Sequence, residues 1–129
     1  MSEPKTILIV DDEPDVCRYL ELFFRDNGFN VFIAEDGRKG FALAKSEHPD
    51  LITLDITMPE ESGVRMFRNL QDDPATKDIP VIIVTGVASD FKQFIETRRQ
   101  VHPPEGYFEK PINRDELLKK TREILGISA

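Results

Sequence analysis

Three short apolar runs, Ile7 to Val10, Leu51 to Leu54 and Val81 to Val84, stand out along the chain. Each is too short for a helix and rich in β-branched residues, so each predicts a strand. None alternates with polar residues, which is what a parallel sheet covered on both faces requires. Two weaker runs, Val31 to Ala34 and Gly106 to Glu109, fit the edges of that sheet.

The segments between strands carry helical spacing. Val16, Leu20, Phe23 and Phe24 recur on one face, with Pro14 suited to a first turn and Gly28 to a stop. Residues 37–47 predict a second helix through Phe41 and Leu43, weakened by Gly40 in its middle. Val64, Phe67 and Leu70 mark a third, closed by Asp73, Pro74 and Pro80, and Phe91, Phe94, Ile95 and Arg98 a fourth. The fifth starts at Asn113, with Glu116 placed as in a capping box. It turns Leu117, Thr121 and Ile124 inward and stops at Gly126. Five alternating strand and helix units joined by right-handed crossovers predict a doubly wound α/β fold with five parallel strands.

Composition sets the boundaries. A chain of 129 residues, 40% hydrophobic and 32% charged, suits one globular domain with a real core. Seventeen Lys and Arg against 24 Asp and Glu leave −7, a field that repels nucleic-acid backbones and anionic membranes. One cysteine, Cys17, rules out a disulfide framework, and His48 and His102 have no partners at metal-ligand spacing. Neither a signal peptide nor a long apolar span is visible, so the chain reads as cytoplasmic and soluble.

Ligands of doubly wound sheets bind beyond the carboxyl ends of the strands. There the sequence places Asp11 and Asp12 after strand one, Asp55 after strand three, Thr85 and Gly86 after strand four, and Lys110 and Pro111 after strand five. Three carboxylates within about 5 Å at an effective dielectric near 20 repel by roughly 3 kcal/mol per pair. That is a large fraction of a total stability of about 5 to 15 kcal/mol. A cation, a raised carboxyl pKa, or both are expected. Lys110 alone is too little, and Mg²⁺, which combines one or two carboxylates with waters and phosphate oxygens, completes the balance. Asp55, already ionised at neutral pH, is then placed to attack phosphorus and form an acyl phosphate. Lys110 and the metal would neutralise the transferring group.

Taken singly, each residue has an ordinary reading. Acids before a helix complement its dipole, an aspartate ending a strand starts a turn, and an edge tyrosine packs. Their joint placement at one sheet edge carries the inference. In order, Val10-Asp11-Asp12-Glu13, Leu54-Asp55-Ile56-Thr57-Met58-Pro59 with Gly63 following, Val84-Thr85-Gly86 and Tyr107-Phe108-Glu109-Lys110-Pro111 closely resemble the receiver domain of two-component response regulators. The likeness runs over residues 5–125, within a single domain of 1–129.

That resemblance implies a flavodoxin-like fold of strand order 2-1-3-4-5. It also implies phosphoryl transfer to Asp55 from a sensor histidine kinase or a histidine phosphotransfer protein, as in a phosphorelay. Asp11, Asp12, Asp55 and the Thr57 main-chain carbonyl would hold Mg²⁺, and Lys110 would contact the phosphoryl group beside Gly86. Thr85 would move toward it, vacating space for Tyr107 and altering the face of helix four, strand five and helix five. Pro59, Gly63 and Pro111 would be structural, with a cis Lys110-Pro111 bond. Thr57 and Val87 offer no acid or amide to orient water, which predicts a long-lived phosphoryl group. The chain would modify itself without turning over an outside substrate, acting on a downstream target, and a phosphorylation-dependent homodimer is compatible with it. An unphosphorylated interaction module and an aspartyl-phosphate phosphatase are the competing readings; the second wants an acid where Thr57 stands. Only Gly126 to Ala129 follow the last helix, leaving both a stand-alone protein and a piece of a longer regulator open.

Overall fold

A computed structural model describes residues 4–58, 62–86 and 105–127. The order is β1 (Thr6–Val10), α1 (Pro14–Asp26), β2 (Asn30–Ala34), α2 (Gly37–Glu47), β3 (Leu51–Asp55), α3 (Ser62–Asp72), β4 (Val81–Thr85), β5 (Gly106–Glu109) and α4 (Arg114–Leu125). The helix numbered α4 here is the fifth that the sequence predicts. The segment around Phe91, Phe94, Ile95 and Arg98, with His102, lies outside the described residues. The five strands form one parallel sheet in the order β2-β1-β3-β4-β5.

The sheet divides the core in two. One side buries Leu8, Val10, Ile52, Leu54 and Ile83 with Ala44, Met66, Phe67 and Leu70 of α2 and α3. The other buries Ile7, Ile9, Leu51 and Ile82 with Cys17, Leu20, Phe24 and Leu117 of α1 and α4. Strand side chains alternate between the two cores, which is why the central runs are apolar throughout.

Helix phases differ in detail from the apolar pattern. In α3 the buried set is Gly63, Met66, Phe67 and Leu70, while Val64 is half-buried. In α2 it is Gly37, Gly40 and Ala44, flanked by half-buried Phe41 and Leu43. A hydrophobicity pattern is blind to glycine, yet glycine marks where these helices come closest. A Cβ on Gly40 would stand 2.8 Å from Met66 Sδ and 2.9 Å from Val10 Cγ2. Likewise Cys17, Leu20 and Phe24 are the fully buried residues of α1, with Val16 and Phe23 at the margin.

The helix ends follow local chemistry. Pro14 opens α1, the Asp36 carboxylate caps α2 by accepting from Lys39 N–H, and Asn113 caps α4 by accepting from Glu116 N–H. Gly28 (φ +90°) follows α1 in the left-handed region that glycine adopts without strain.

Candidate functional site

The site arises where strand order meets strand ends. β1 and β3 are neighbours, with Val10 opposite Leu54, so the residues that follow stand side by side. Adjacent strands lie about 4.8 Å apart. Asp11, Asp12 and Asp55 accordingly bring one carboxylate oxygen each within 4.8 Å of one another. Asp11 N–H donates to the Ala34 carbonyl, extending the ladder with β2 by one residue. On the other flank Lys110 N–H donates to the Thr85 carbonyl at 2.8 Å. The lysine therefore leaves the sheet at the same rim, ahead of a cis Lys110-Pro111 peptide.

Asp11 and Asp55 are buried, whereas Asp12 is exposed and borders a groove of about 620 Å³ between α2 and α3. The backbone secures both buried carboxylates: Glu13 N–H donates to Asp11 Oδ1 at 2.9 Å and Thr57 N–H to Asp55 Oδ1 at 2.8 Å. The Thr57 hydroxyl adds a second bond to Asp55 Oδ1 at 2.5 Å. Lys110 Nζ lies 3.0 Å from Asp11 Oδ2, 3.2 Å from Asp55 Oδ2 and 3.2 Å from Glu13 Oε1.

The charges at this rim are not balanced. Burial pushes the Asp11 carboxyl above its ordinary range; the Glu13 N–H opposes the shift, the Asp55 charge adds to it, and Lys110 offsets only part. Burial alone would lower Lys110, but the bonds and charges of Asp11 and Asp55 outweigh it and hold the ammonium above the usual lysine range. Below the cluster, Cys17 Sγ donates to the Asp11 carbonyl at 3.2 Å. Burial, then Asp11 and Glu35, push its thiol up to about 11, so it is a packing residue and not a nucleophile.

The other described residues singled out in the sequence lie on or beside β4, β5 and α3. Thr85 ends β4 with its side chain buried, and exposed Gly86 follows. Tyr107 pairs in register with Ile83, half-buried against the α2–α3 core, and its hydroxyl donates to Glu109 at 3.4 Å. Burial and then the Glu109 charge raise its phenol pKa. Gly63 lies directly against the end of β3: a Cβ there would overlap the Asp55 carbonyl oxygen and stand 2.7 Å from Ile56 Cα. Pro59 and Val87 lie outside the described residues. Two contacts were not foreseen from the sequence, the Thr57 hydroxyl on Asp55 and the Glu13 carboxylate on Lys110. The available signal for Glu13 was its place two residues after Asp11 and just before a helix-starting proline.

The donor set suits a hard divalent cation. Oxygen ligands on opposite sides of Mg²⁺ or Ca²⁺ stand roughly 4 to 5 Å apart, and one oxygen from each of the three carboxylates lies within 4.8 Å of the others, a spread that one such ion can span. Burial is the main cause of the raised Asp11 carboxyl, and the neighbouring Asp55 charge adds to it.

Comparison with known proteins agrees with this geometry. Residues 7–122 match the model of the family described as the response regulator receiver domain. The chain is 37% identical over 119 residues to Protein PilH of Pseudomonas aeruginosa, covering 92% of this chain and 96% of that one. It is 35% identical over 121 residues to the DNA-binding dual master transcriptional regulator RpaA of Synechocystis, covering 92% of this chain but 48% of RpaA. Among solved structures, a CheY-like receiver domain protein of Methanospirillum hungatei superposes with a TM-score of 0.83 at 28% identity, covering 95% of this chain and 94% of that one. Chemotaxis protein CheY4 of Vibrio cholerae gives 0.82 at 26% identity, covering 95% and 99%.

Proposed function

This chain belongs to the family of response regulator receiver domains of two-component signalling, and we propose that Asp55 is its phosphoacceptor. The phosphoryl group comes from the phosphohistidine of a sensor histidine kinase or a histidine phosphotransfer protein. One observation carries the reading. Asp55, buried and ringed by Asp11 and Asp12 within 4.8 Å, presents Oδ2 3.2 Å from the Lys110 ammonium.

The chain's residues divide the work. Thr57, through its N–H and hydroxyl, holds Asp55 Oδ1 and so fixes the carboxylate plane. An Asp55 oxygen attacks phosphorus, the P–N bond to the donor imidazole breaks, and an acyl phosphate forms. Asp11, Asp12, Asp55 and the Thr57 carbonyl would hold Mg²⁺, which supplies charge neutralisation of the phosphoryl oxygens when bound. Lys110 transfers its donors to the new oxygens. Gly86, exposed at the end of β4, leaves the approach to the rim free of a side chain.

Loss of the phosphoryl group by attack of water regenerates Asp55, so the chain modifies itself and turns over no outside substrate. The Thr85 hydroxyl drawn to the phosphoryl group, with Tyr107 following, shifts the population of packings of the face that β5 and α4 share with the predicted fourth helix. A downstream target or a second copy reads that face. With a net charge of −7 the chain itself does not engage DNA, and it works in the cytoplasm.

Acetyl phosphate with Mg²⁺, followed by intact mass, tests the assignment. One phosphoryl adduct is expected in wild type and none in Asp55→Asn. An adduct that survives Asp55→Asn, or its absence from wild type, overturns it.

A further inference from the structure

The inference that follows rests on Asp55 being the phosphoacceptor and concerns an acid that this chemistry leaves unused. An ammonium has three N–H donors. Lys110 faces three carboxylate acceptors, Asp11, Asp55 and Glu13, at 3.0, 3.2 and 3.2 Å. Three carboxylates therefore draw on the unmodified lysine, Glu13 and Asp55 through hydrogen bonds and Asp11 as an ion pair. A phosphoryl group arriving on Asp55 competes with them for its donors. The side chains of Asp11 and Asp55 are 4% and 1% exposed. Losing the lysine would strand a buried charge on Asp11, and on Asp55 until its carboxylate is phosphorylated. Glu13 is 58% exposed, and water replaces its partner at little cost.

We propose that Glu13 is a positioning residue that competes with the phosphoryl group for Lys110, slowing phosphorylation until it yields. The loop sets its reach. Its N–H is bound to Asp11 Oδ1, its carbonyl accepts from Cys17 N–H at 3.1 Å, and Pro14 follows in the first helical turn. The bland reading of an acid at this position is that it serves the helix. Yet the Glu13 side chain makes no capping hydrogen bond and reaches instead to a lysine 97 residues away. Its charge also lies where an anionic donor approaches, so both effects act in one direction.

The test uses the full chain with saturating Mg²⁺ and the initial rate of adduct formation as a function of acetyl phosphate concentration. Glu13→Gln should raise the second-order rate about two- to five-fold, the factor corresponding to an exposed ion pair. Glu47→Gln, the same charge change at the far end of α2, should leave it unchanged. In the unmodified protein, the Lys110 side-chain ammonium signal should exchange with water faster in Glu13→Gln, which a purely structural role would not produce. An unchanged or slower rate in Glu13→Gln, an equal rise in Glu47→Gln, or an unaltered Lys110 signal overturns the proposal. Wild type is measured first: if it forms no adduct, the phosphoacceptor assignment fails, and this inference with it. An adduct in wild type with no gain in Glu13→Gln refutes the inference alone.

Discussion

The turn after α3 and the rim of β1 and β3 are built from the same local parts. At the turn, Asp73 accepts from the N–H two residues on, Ala75, at 2.9 Å and pairs with Lys45 at 3.1 Å. At the rim, Asp11 and Asp55 do the same with Glu13, Thr57 and Lys110. The outcomes are opposite. Ala75 N–H and then Lys45 hold the Asp73 carboxyl below its ordinary range, while burial carries Asp11 above it. An aspartate turn with a lysine partner is thus a structural device by default. It becomes a candidate site when parallel strands set two of them side by side and seal them from water.

The largest test of that contrast removes the two lysines. In metal-free protein, Lys110→Ala leaves two buried carboxylates without a cation and should cost about 3 kcal/mol in urea unfolding, much of it recovered on adding Mg²⁺. Lys45→Ala at the half-exposed turn should leave the midpoint nearly unchanged. Comparable losses in the two variants would erase the distinction.

Next in size is Gly63→Ala. It forces α3 away from the Asp55 carbonyl and should destabilise by about 1 to 3 kcal/mol, with slower adduct formation, on the proposed chemistry, because Asp55 moves as well. Normal adduct formation in a destabilised Gly63→Ala protein would show that α3 and the position of Asp55 are independent.

The smallest effect lies in pH dependence. Folded Asp11 keeps its proton to a higher pH than unfolded Asp11, whose value is near 3.8. Its contribution to stability is therefore greatest below 3.8 and declines as pH rises through the folded value. Asp73 has the opposite sign: its contribution is present above 3.8 and is lost as pH falls through its lowered value. Asp11→Asn should melt a few degrees higher than wild type at neutral pH without metal, the gap closing on acidification. Asp73→Asn should melt lower, that gap also closing in acid. Parallel profiles for the two variants would contradict the contrast.

How far the sequence discloses this molecule depends on the range of the interaction. The central strands are legible because burial on both faces leaves an uninterrupted apolar run, and Ile7 to Val10, Leu51 to Leu54 and Val81 to Val84 all fall within observed strands. The rim acids are legible because each immediately follows such a run. The phase of α3 is not, because Gly63 occupies the innermost place and carries no hydrophobic signal, so Val64 stands in for Met66 in the pattern. The Glu13 contact with Lys110 is equally hidden. It depends on side-chain geometry between segments 97 residues apart, and no local periodicity encodes that.

Gly63 resting against the Asp55 carbonyl has a practical corollary for recombination. With no side chain between them, β3 and the first turn of α3 touch main chain to main chain, and nothing there can repack to absorb a mismatch. A chimera that exchanges α3 with another regulator should carry β3 along with it, because the two segments behave as one transplantable part.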